Sequence, residues 1–389
     1  MNALRAAFTG YYGMCNFGDD LFGVLCSAAA RRYWNADPCV IGPPLAGAGA
    51  DSTWPLPRTF YGASGAVGKA ARLFGFARGL RGADVLVMGG GSVINARESF
   101  RQPMMLSAQR SGKLQLAAVG VSIGPFADAA GEETAANFVR HFTYLSVRDR
   151  RSFELARRMG VEHITHAGRD LAGLLPLVSA DPGWIPSTGS DRSVPCIGLA
   201  PCSYTVRDDH PSPSPAQWHD AAISALSRMS ARTPLQVEVF SLNGHPRHGD
   251  AALSRELCER LRSRGVPVRI REYAGGDPLM IVQAIRECDA FISARLHGAI
   301  VAYLCGVPFG IVDYHPKCRD FADDIGLPHT LRFDRPDIDE SSFLHALDAL
   351  LNDGATRPAV SPDVYAQEAQ DIFQCAPWST SPARTTQAA

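Results

Sequence analysis

The sequence predicts an α/β protein made of two doubly wound domains in tandem, facing each other across a cleft. Three observations carry that prediction. The chain has 389 residues, too many for one ordinary core. Short apolar runs alternate with longer amphipathic stretches, and the alternation occurs twice. Between the two series lies a segment rich in Pro, Gly and Ser, residues 179–193, that reads as a linker.

In the first series the strand candidates are LRAAFTG, DVLVMGGG, LQLAAVGVSIG, YLSVRD and a weaker HITHAGRD. In the second they are PCIGLAPC, LQVEVFSL, VPVRIREY, DAFISARL and PFGIVDY. Runs this short and apolar fit parallel strands buried on both faces. The stretches ELARRMG, DAAISALSRM and AALSRELCERLRSRG supply the covering helices. The resulting boundaries are a first domain at 1–180, a linker at 181–193, a second domain at 194–353 and an extension at 354–389. The final STSPARTTQAA reads as a disordered tail.

Hydrophobic content of 46% with 20% charged residues describes a soluble globular chain, and a net charge of -1 argues against nucleic acid as partner. The ten cysteines are scattered without a CxxC pair, a usage typical of a reducing compartment. The start, MNALRAAFTGYYG, lacks the apolar core of a signal peptide. No window of about 18 apolar residues marks a membrane span, so a cytoplasmic protein is expected.

In doubly wound sheets, ligands bind beyond the carboxyl ends of the strands, so the polar residues there are the candidates. After the first strand, GYYGMCNFGDD offers Asn16 as a ligand-loop residue and Asp19 or Asp20 as a helix cap. Gly89, Gly90, Gly91 and Ser92 read as a strand-to-helix turn whose N–H groups approach an anion. No Gly-Lys-Ser/Thr follows, so this is not a P-loop. Arg148 ends a strand, either as an anion ligand or in an internal pair with Asp149 or Asp170. Arg295 and His297 sit at another strand-to-helix seam, and Lys317 follows the next strand. Cationic groups after neighbouring strands suit a small, multiply charged anion. His163-x-x-His166 and His245-x-x-His248 lack companions that would complete a metal site, so no metal is expected. No Gly-x-Gly-x-x-Gly follows the first strand, which counts against a dinucleotide reading.

One stretch stands apart. Residues 52–83 contain no acidic side chain but carry Arg58, Lys69, Arg72, Arg78 and Arg81. A helix there puts Leu73, Phe76 and Leu80 on one face, flanked by Lys69 and Arg81. It reads as an ordinary surface helix or as one resting on an anionic membrane.

Together GYYGMCNFGDD, VLVMGGGSVI, LSVRDRRS and SARLHGAIVAYLCGVPFGIVDYHPKCRDF resemble the polysaccharide pyruvyl transferase family. The motifs run in the family's order from residue 10 to about 327. Gly18-Asp19-Asp20 stands where the family often has Gly-Asp-Glu, and residues 203–218 do not align. The resemblance implies a GT-B-like pair of Rossmann-like domains, with the acceptor on the first domain and the donor on the second. It implies phosphoenolpyruvate as donor and co-substrate, no further cofactor, and a sugar acceptor that receives pyruvate as a ketal while phosphate leaves. Arg295, Leu296 and His297 correspond to its Arg-Leu-His motif, with His297 catalytic and Arg295, Leu296, Arg148 and Lys317 at the donor. Asn16, Asp19, Gly90, Gly91 and Ser92 fall to the acceptor side or its loops. High Ala, Arg and Gly usage fits a GC-rich bacterial source, hence exopolysaccharide or envelope glycan synthesis, with a lipid-linked acceptor and peripheral contact at the inner membrane's cytoplasmic face. The alternative is a GT-B glycosyltransferase using a nucleotide sugar, with Asp313 as its ribose-binding acid.

Overall fold

The computed structural model describes residues 3–96, 99–179, 193–202, 214–313, 315–335, 337–352 and 357–380. Residues 181–192 of the linker at 181–193, most of the unaligned segment (203–213), Tyr314 and the tail 381–389 lie outside these residues. The chain divides into two compact units.

The first unit comprises Met1–Met14, Asp19–Ala180 and Tyr365–Ala389. Its strands are β1 (Leu4–Thr9), β2 (Ala36–Ile41), β3 (Asp51–Ser52), β4 (Val85–Ile94), β5 (Gln115–Ile123), β6 (Tyr144–Val147) and β7 (Thr165–Ala167). They form one parallel sheet in the order β3-β2-β1-β4-β5-β6-β7. The order reverses between β1 and β4, and such a switch point opens a crevice at the strands' carboxyl ends. The helices are α1 (Phe17–Trp34), α2 (Arg58–Tyr61), α3 (Gly65–Leu80), α4 (Arg101–Arg110), α5 (Ala129–Val139) and α6 (Arg150–Arg158). Leu86, Leu116, Leu145 and Val147 are buried in the centre of this unit's core, each worth roughly 1.5–3 kcal/mol on burial.

The second unit comprises Cys15–Gly18 and Asp181–Val364. Its strands are β8 (Cys196–Ala200), β9 (Gln236–Ser241), β10 (Val268–Glu272), β11 (Ala290–Ser293), β12 (Phe309–Val312) and β13 (Arg332–Phe333). The sheet is again parallel, in the order β10-β9-β8-β11-β12-β13, with its switch point between β8 and β11. The helices are α7 (Pro215–Ser230), α8 (Ala251–Ser263), α9 (Leu279–Arg286), α10 (Leu296–Leu304), α11 (Pro316–Asp324) and α12 (Glu340–Asn352). Phe240 and Phe291 meet at 5.2 Å inside this core.

The last helix, α13 (Pro362–Gln374), differs from its reading as an extension, because from Tyr365 onward it completes the first unit. Trp34 Nε1 donates to the Phe373 carbonyl (2.8 Å), and Tyr144 Oη to that of Ile372 (2.7 Å). The Tyr365 hydroxyl accepts the Asp170 N–H (3.2 Å). Trp34 also packs on Phe373 and Trp378. Gly168 and Gly173 are glycine for this reason: a Cβ would lie 2.5 Å from Ile372 Cγ1 and 2.6 Å from Ala369 Cβ, respectively.

Candidate functional site

At the switch point of the second sheet, β11 delivers the chain into Arg295, the N-cap of α10, with Leu296 and His297 opening that helix. The Ser293 hydroxyl tightens the turn, accepting the Arg295 N–H (3.1 Å) and donating to the Arg295 carbonyl (2.6 Å). The Arg295 guanidinium is largely buried and bound on two donors by Asp250, with Nε 2.9 Å from Oδ2 and Nη2 on Oδ1. Asp250 is fully buried ahead of α8. Burial raises its pKa, and the bonds from Arg295 offset only part of that rise. Asp250 is the residue that reading the sequence missed. Its only local signal is that it ends the polar loop LNGHPRHGD after β9.

Leu296 has its side chain buried in the core. His297 is half-buried, and Gly18 makes room for it: a Cβ on Gly18 would lie 1.7 Å from the imidazole Nδ1 and 2.4 Å from Cγ. Asn16 lies beside this seam through its backbone. It forms an antiparallel bridge with Asn243, flanked by Phe17 N–H to the Leu242 carbonyl (2.9 Å) and Gly244 N–H to that of Cys15 (2.7 Å). Beyond β12, His315 caps α11 by accepting the Lys317 N–H at Nδ1 (3.2 Å). Since β12 pairs with β11, Lys317 and Arg295 follow neighbouring strands of one sheet. Asp313 is buried and ion-paired with Arg319 Nη1 (2.7 Å).

The remaining candidates belong to the first unit. Arg148 has an internal use there: Nε donates to the Ser122 hydroxyl (2.7 Å) and Nη1 to Asp170 Oδ2 (2.8 Å), with the side chain nearly all buried. Burial pulls its pKa down, but Asp170 and Asp149 outweigh that and keep the guanidinium charged. Asp149 caps α6, accepting from Ser152 N–H (2.7 Å) and from the Ser122 hydroxyl (2.6 Å). Of the two readings of Arg148, the geometry supplies the ion pair with Asp170.

Gly89, Gly90, Gly91 and Ser92 form no strand-to-helix turn. They lie inside β4, which runs on to Ile94 through a register shift against β5. Gly90 and Gly91 take φ of 71° and 81°, a region costly for other residues. Packing explains the rest: Cβ atoms on Gly89 and Gly90 would lie 2.2 Å from Tyr12 Oη and 2.3 Å from Phe22 Cδ2. The Tyr12 hydroxyl donates to the Gly89 carbonyl (2.6 Å), joining the two sides of the switch point. Asp19 stands in the first turn of α1, and Asp20 turns back to accept the Gly13 N–H (2.6 Å).

Among the described residues, Cys196, Glu238 and Cys288 bring ligand-type atoms within 4.8 Å of one another. Glu238 is ion-paired with Arg271 (2.5 Å), and the hydrogen bond with Cys196, then burial, push the Cys288 thiol well up. The Glu238 carboxylate is thus already engaged by a cation. His245 Nδ1 accepts two backbone N–H groups, from Arg247 and His248 (both 3.1 Å), and so holds its own turn.

A family model described as polysaccharide pyruvyl transferase matches residues 16–316, spanning both the Gly18 segment and the Arg295–His297 seam. The chain belongs to the polysaccharide pyruvyl transferase family. Among solved structures it is similar to UDP-GlcNAc 2-epimerase from Methanocaldococcus jannaschii, at 12% identity and TM-score 0.58, covering 96% of this chain and 99% of that one. It is also similar to UDP-N-acetylglucosamine 2-epimerase from Rickettsia bellii, at 11% identity and TM-score 0.58, covering 96% of each chain. At such identities the likeness establishes the fold alone, a GT-B-like pair of Rossmann-like units. No curated protein matches.

Proposed function

We propose that the chain transfers pyruvate from phosphoenolpyruvate onto two hydroxyls of one sugar in a glycan, forming a ketal and releasing phosphate. Family membership supports the transferase class. The observation carrying the finer reading is the Arg295–His297 pair at the switch point of the second sheet, with Arg295 oriented by buried Asp250. In this reading Arg295 binds the donor's anionic groups, and Lys317, after the neighbouring strand, assists. A guanidinium held by a buried carboxylate is preorganised for that task. One hydroxyl of the sugar adds to C2 of the enol phosphate while C3 takes up a proton. The second hydroxyl then attacks C2, the C–O bond to phosphate breaks, and the hydroxyl proton leaves with the phosphate. His297 supplies the proton to C3 or accepts one from a hydroxyl, as general acid or base. Positive charge around the departing phosphate stabilises that step.

The acceptor in this reading is an envelope or exopolysaccharide glycan, carried on lipid at the cytoplasmic face of a bacterial inner membrane. In the nucleotide-sugar alternative the ribose-binding candidate is Asp313, buried with Oδ2 ion-paired to Arg319. Calorimetric titration tests the donor. Phosphoenolpyruvate should bind the wild type and fail to bind Arg295→Ala, while UDP and GDP give no heat. Binding of UDP or GDP in place of phosphoenolpyruvate overturns the proposal.

A further inference from the structure

The helix α3 is built inside out. Its buried side consists of Gly68, Ala71, Gly75, Phe76 and Gly79. The glycines are there because the helix lies close to its neighbours: a Cβ on Gly79 would sit 2.5 Å from Ile41 Cδ1, and one on Gly68 1.7 Å from the Ala63 carbonyl oxygen. Advancing about 100° per residue, the opposite side gathers Ala66, Val67, Ala70, Leu73 and Phe74, all exposed. Val67, Leu73 and Phe74 are 58%, 47% and 57% exposed. The face expected from the sequence, with Leu73 beside Phe76, is therefore corrected: Phe76 is wholly buried and Leu73 looks outward. Arg72 Nη1 donates to the Tyr61 and Ala63 carbonyls (2.8 and 3.2 Å), fastening α2 to α3. Nearby, α2 exposes Phe60 (51%), with Leu56 (54%) just ahead of it.

Exposed Lys69 and Arg78 flank the apolar side of α3, and exposed Arg58 opens α2. Asp51 and Asp84 are the nearest acidic residues in sequence, and none lies between them. A soluble surface normally mixes both signs and scatters its large apolar groups. Bulky apolar side chains beside basic groups complement an anionic lipid surface; Asp51 lines the same small pocket as Arg78, so Lys69 is the cation further from any acidic residue in sequence. No helix among the described residues is long and apolar enough to cross a membrane, so contact of this kind is peripheral.

We propose that the outward side of α2 and α3 docks the protein on an anionic lipid bilayer, inserting Phe60, Leu73 and Phe74 between headgroups while Lys69 and Arg78 meet the phosphates. Docking does not depend on the donor chemistry. If the pyruvyl transferase reading also holds, it brings the site to a lipid-carried acceptor.

The test is co-sedimentation of the full-length protein with vesicles of phosphatidylcholine alone and of phosphatidylcholine with phosphatidylglycerol, at low ionic strength. The wild type should pellet with the anionic vesicles and not the neutral ones, and added salt should release it. Removing one basic residue should weaken binding about fivefold, and Lys69→Glu with Arg78→Glu by far more. Leu73→Ser with Phe74→Ser should also abolish pelleting. Both pairs should keep wild-type phosphoenolpyruvate binding and a cooperative melting transition, lowered in Leu73→Ser/Phe74→Ser by loss of the edge contact of Phe74 with Trp54 (6.3 Å). A wild type that stays in the supernatant overturns the proposal, as do variants that pellet like it. Concentration-dependent dimers lost in Leu73→Ser/Phe74→Ser, without vesicle binding, would overturn it in favour of a second copy as occupant.

Discussion

Replacing Gly18 by alanine adds one methyl group and aims it at the imidazole of His297. Gly18 does not adopt a positive φ, so alanine meets no backbone penalty there. The obstacle is the ring: the new Cβ would lie 1.7 Å from Nδ1, 2.4 Å from Cγ and 2.5 Å from Cε1. Ordinary carbon contacts begin near about 3.5–4 Å, so the ring must retreat by about 2 Å. Because Cγ is among the blocked atoms, turning the ring about its last bond does not relieve the clash. A new χ1 rotamer or a shift of the first turn of α10 is required. A misplacement of about 1 Å can cost about 100-fold in rate, so Gly18→Ala should lower kcat at least about 100-fold, or about 2.7 kcal/mol of barrier. Affinity for phosphoenolpyruvate should change little, because Arg295 and Asp250 are not touched. The assay is phosphate release from phosphoenolpyruvate with a glycan acceptor pool, alongside calorimetric donor binding. In a His297→Ala background the Gly18 change should add almost nothing, since both act through one group. Wild-type kcat in Gly18→Ala, or full additivity of the two changes, would refute the reasoning.

Other expectations concern the buried polar groups. Arg148→Ala strands Asp170 in the first unit's interior and should cost about 3–5 kcal/mol in urea unfolding with donor affinity intact; normal stability with lost donor binding would return Arg148 to the donor site. Tyr12→Phe leaves the Gly89 carbonyl without its 2.6 Å partner and should cost about 1–3 kcal/mol, read as a lowered melting temperature. His219 is buried on α7, and burial, aided by Arg260, depresses its pKa from 6.5 to about 4. The unfolded chain therefore takes up a proton that the folded chain refuses. His219's contribution to stability is complete above about pH 6.5, drains as pH falls toward 4 and then levels off. At about 1.4 kcal/mol per pH unit the loss approaches about 3 kcal/mol. Unfolding of His219→Gln at pH 7.5 and 5 should lack that component; an unchanged pH dependence would reject the assignment.

The alternation of apolar runs with amphipathic helices revealed both sheets, because strands buried on both faces leave an uninterrupted apolar record. It missed β2, where Asp37 and Pro38 break the run, and the two-residue strands β3 and β13. The glycine run read as a turn because glycine usually ends strands. Here it persists within β4, where Tyr12 and Phe22 leave no space for a Cβ. Arg295 and His297 were legible from their place after a strand. Asp250 was not, since it meets Arg295 from 45 residues upstream and nothing local marks it. The same limit applied to Arg148: the sequence offered two acidic partners, and only the fold selects Asp170.

Because α13 completes the first unit, that unit is written at both ends of the gene, and the second is inserted within it. A ribosome must therefore deliver the whole second unit before Trp34 and Tyr144 meet the carbonyls of Phe373 and Ile372. Until then the nascent first sheet leaves an aromatic face uncovered. Premature termination shortly after residue 361 would spare nearly all of the second unit, yet its damage would fall on the first.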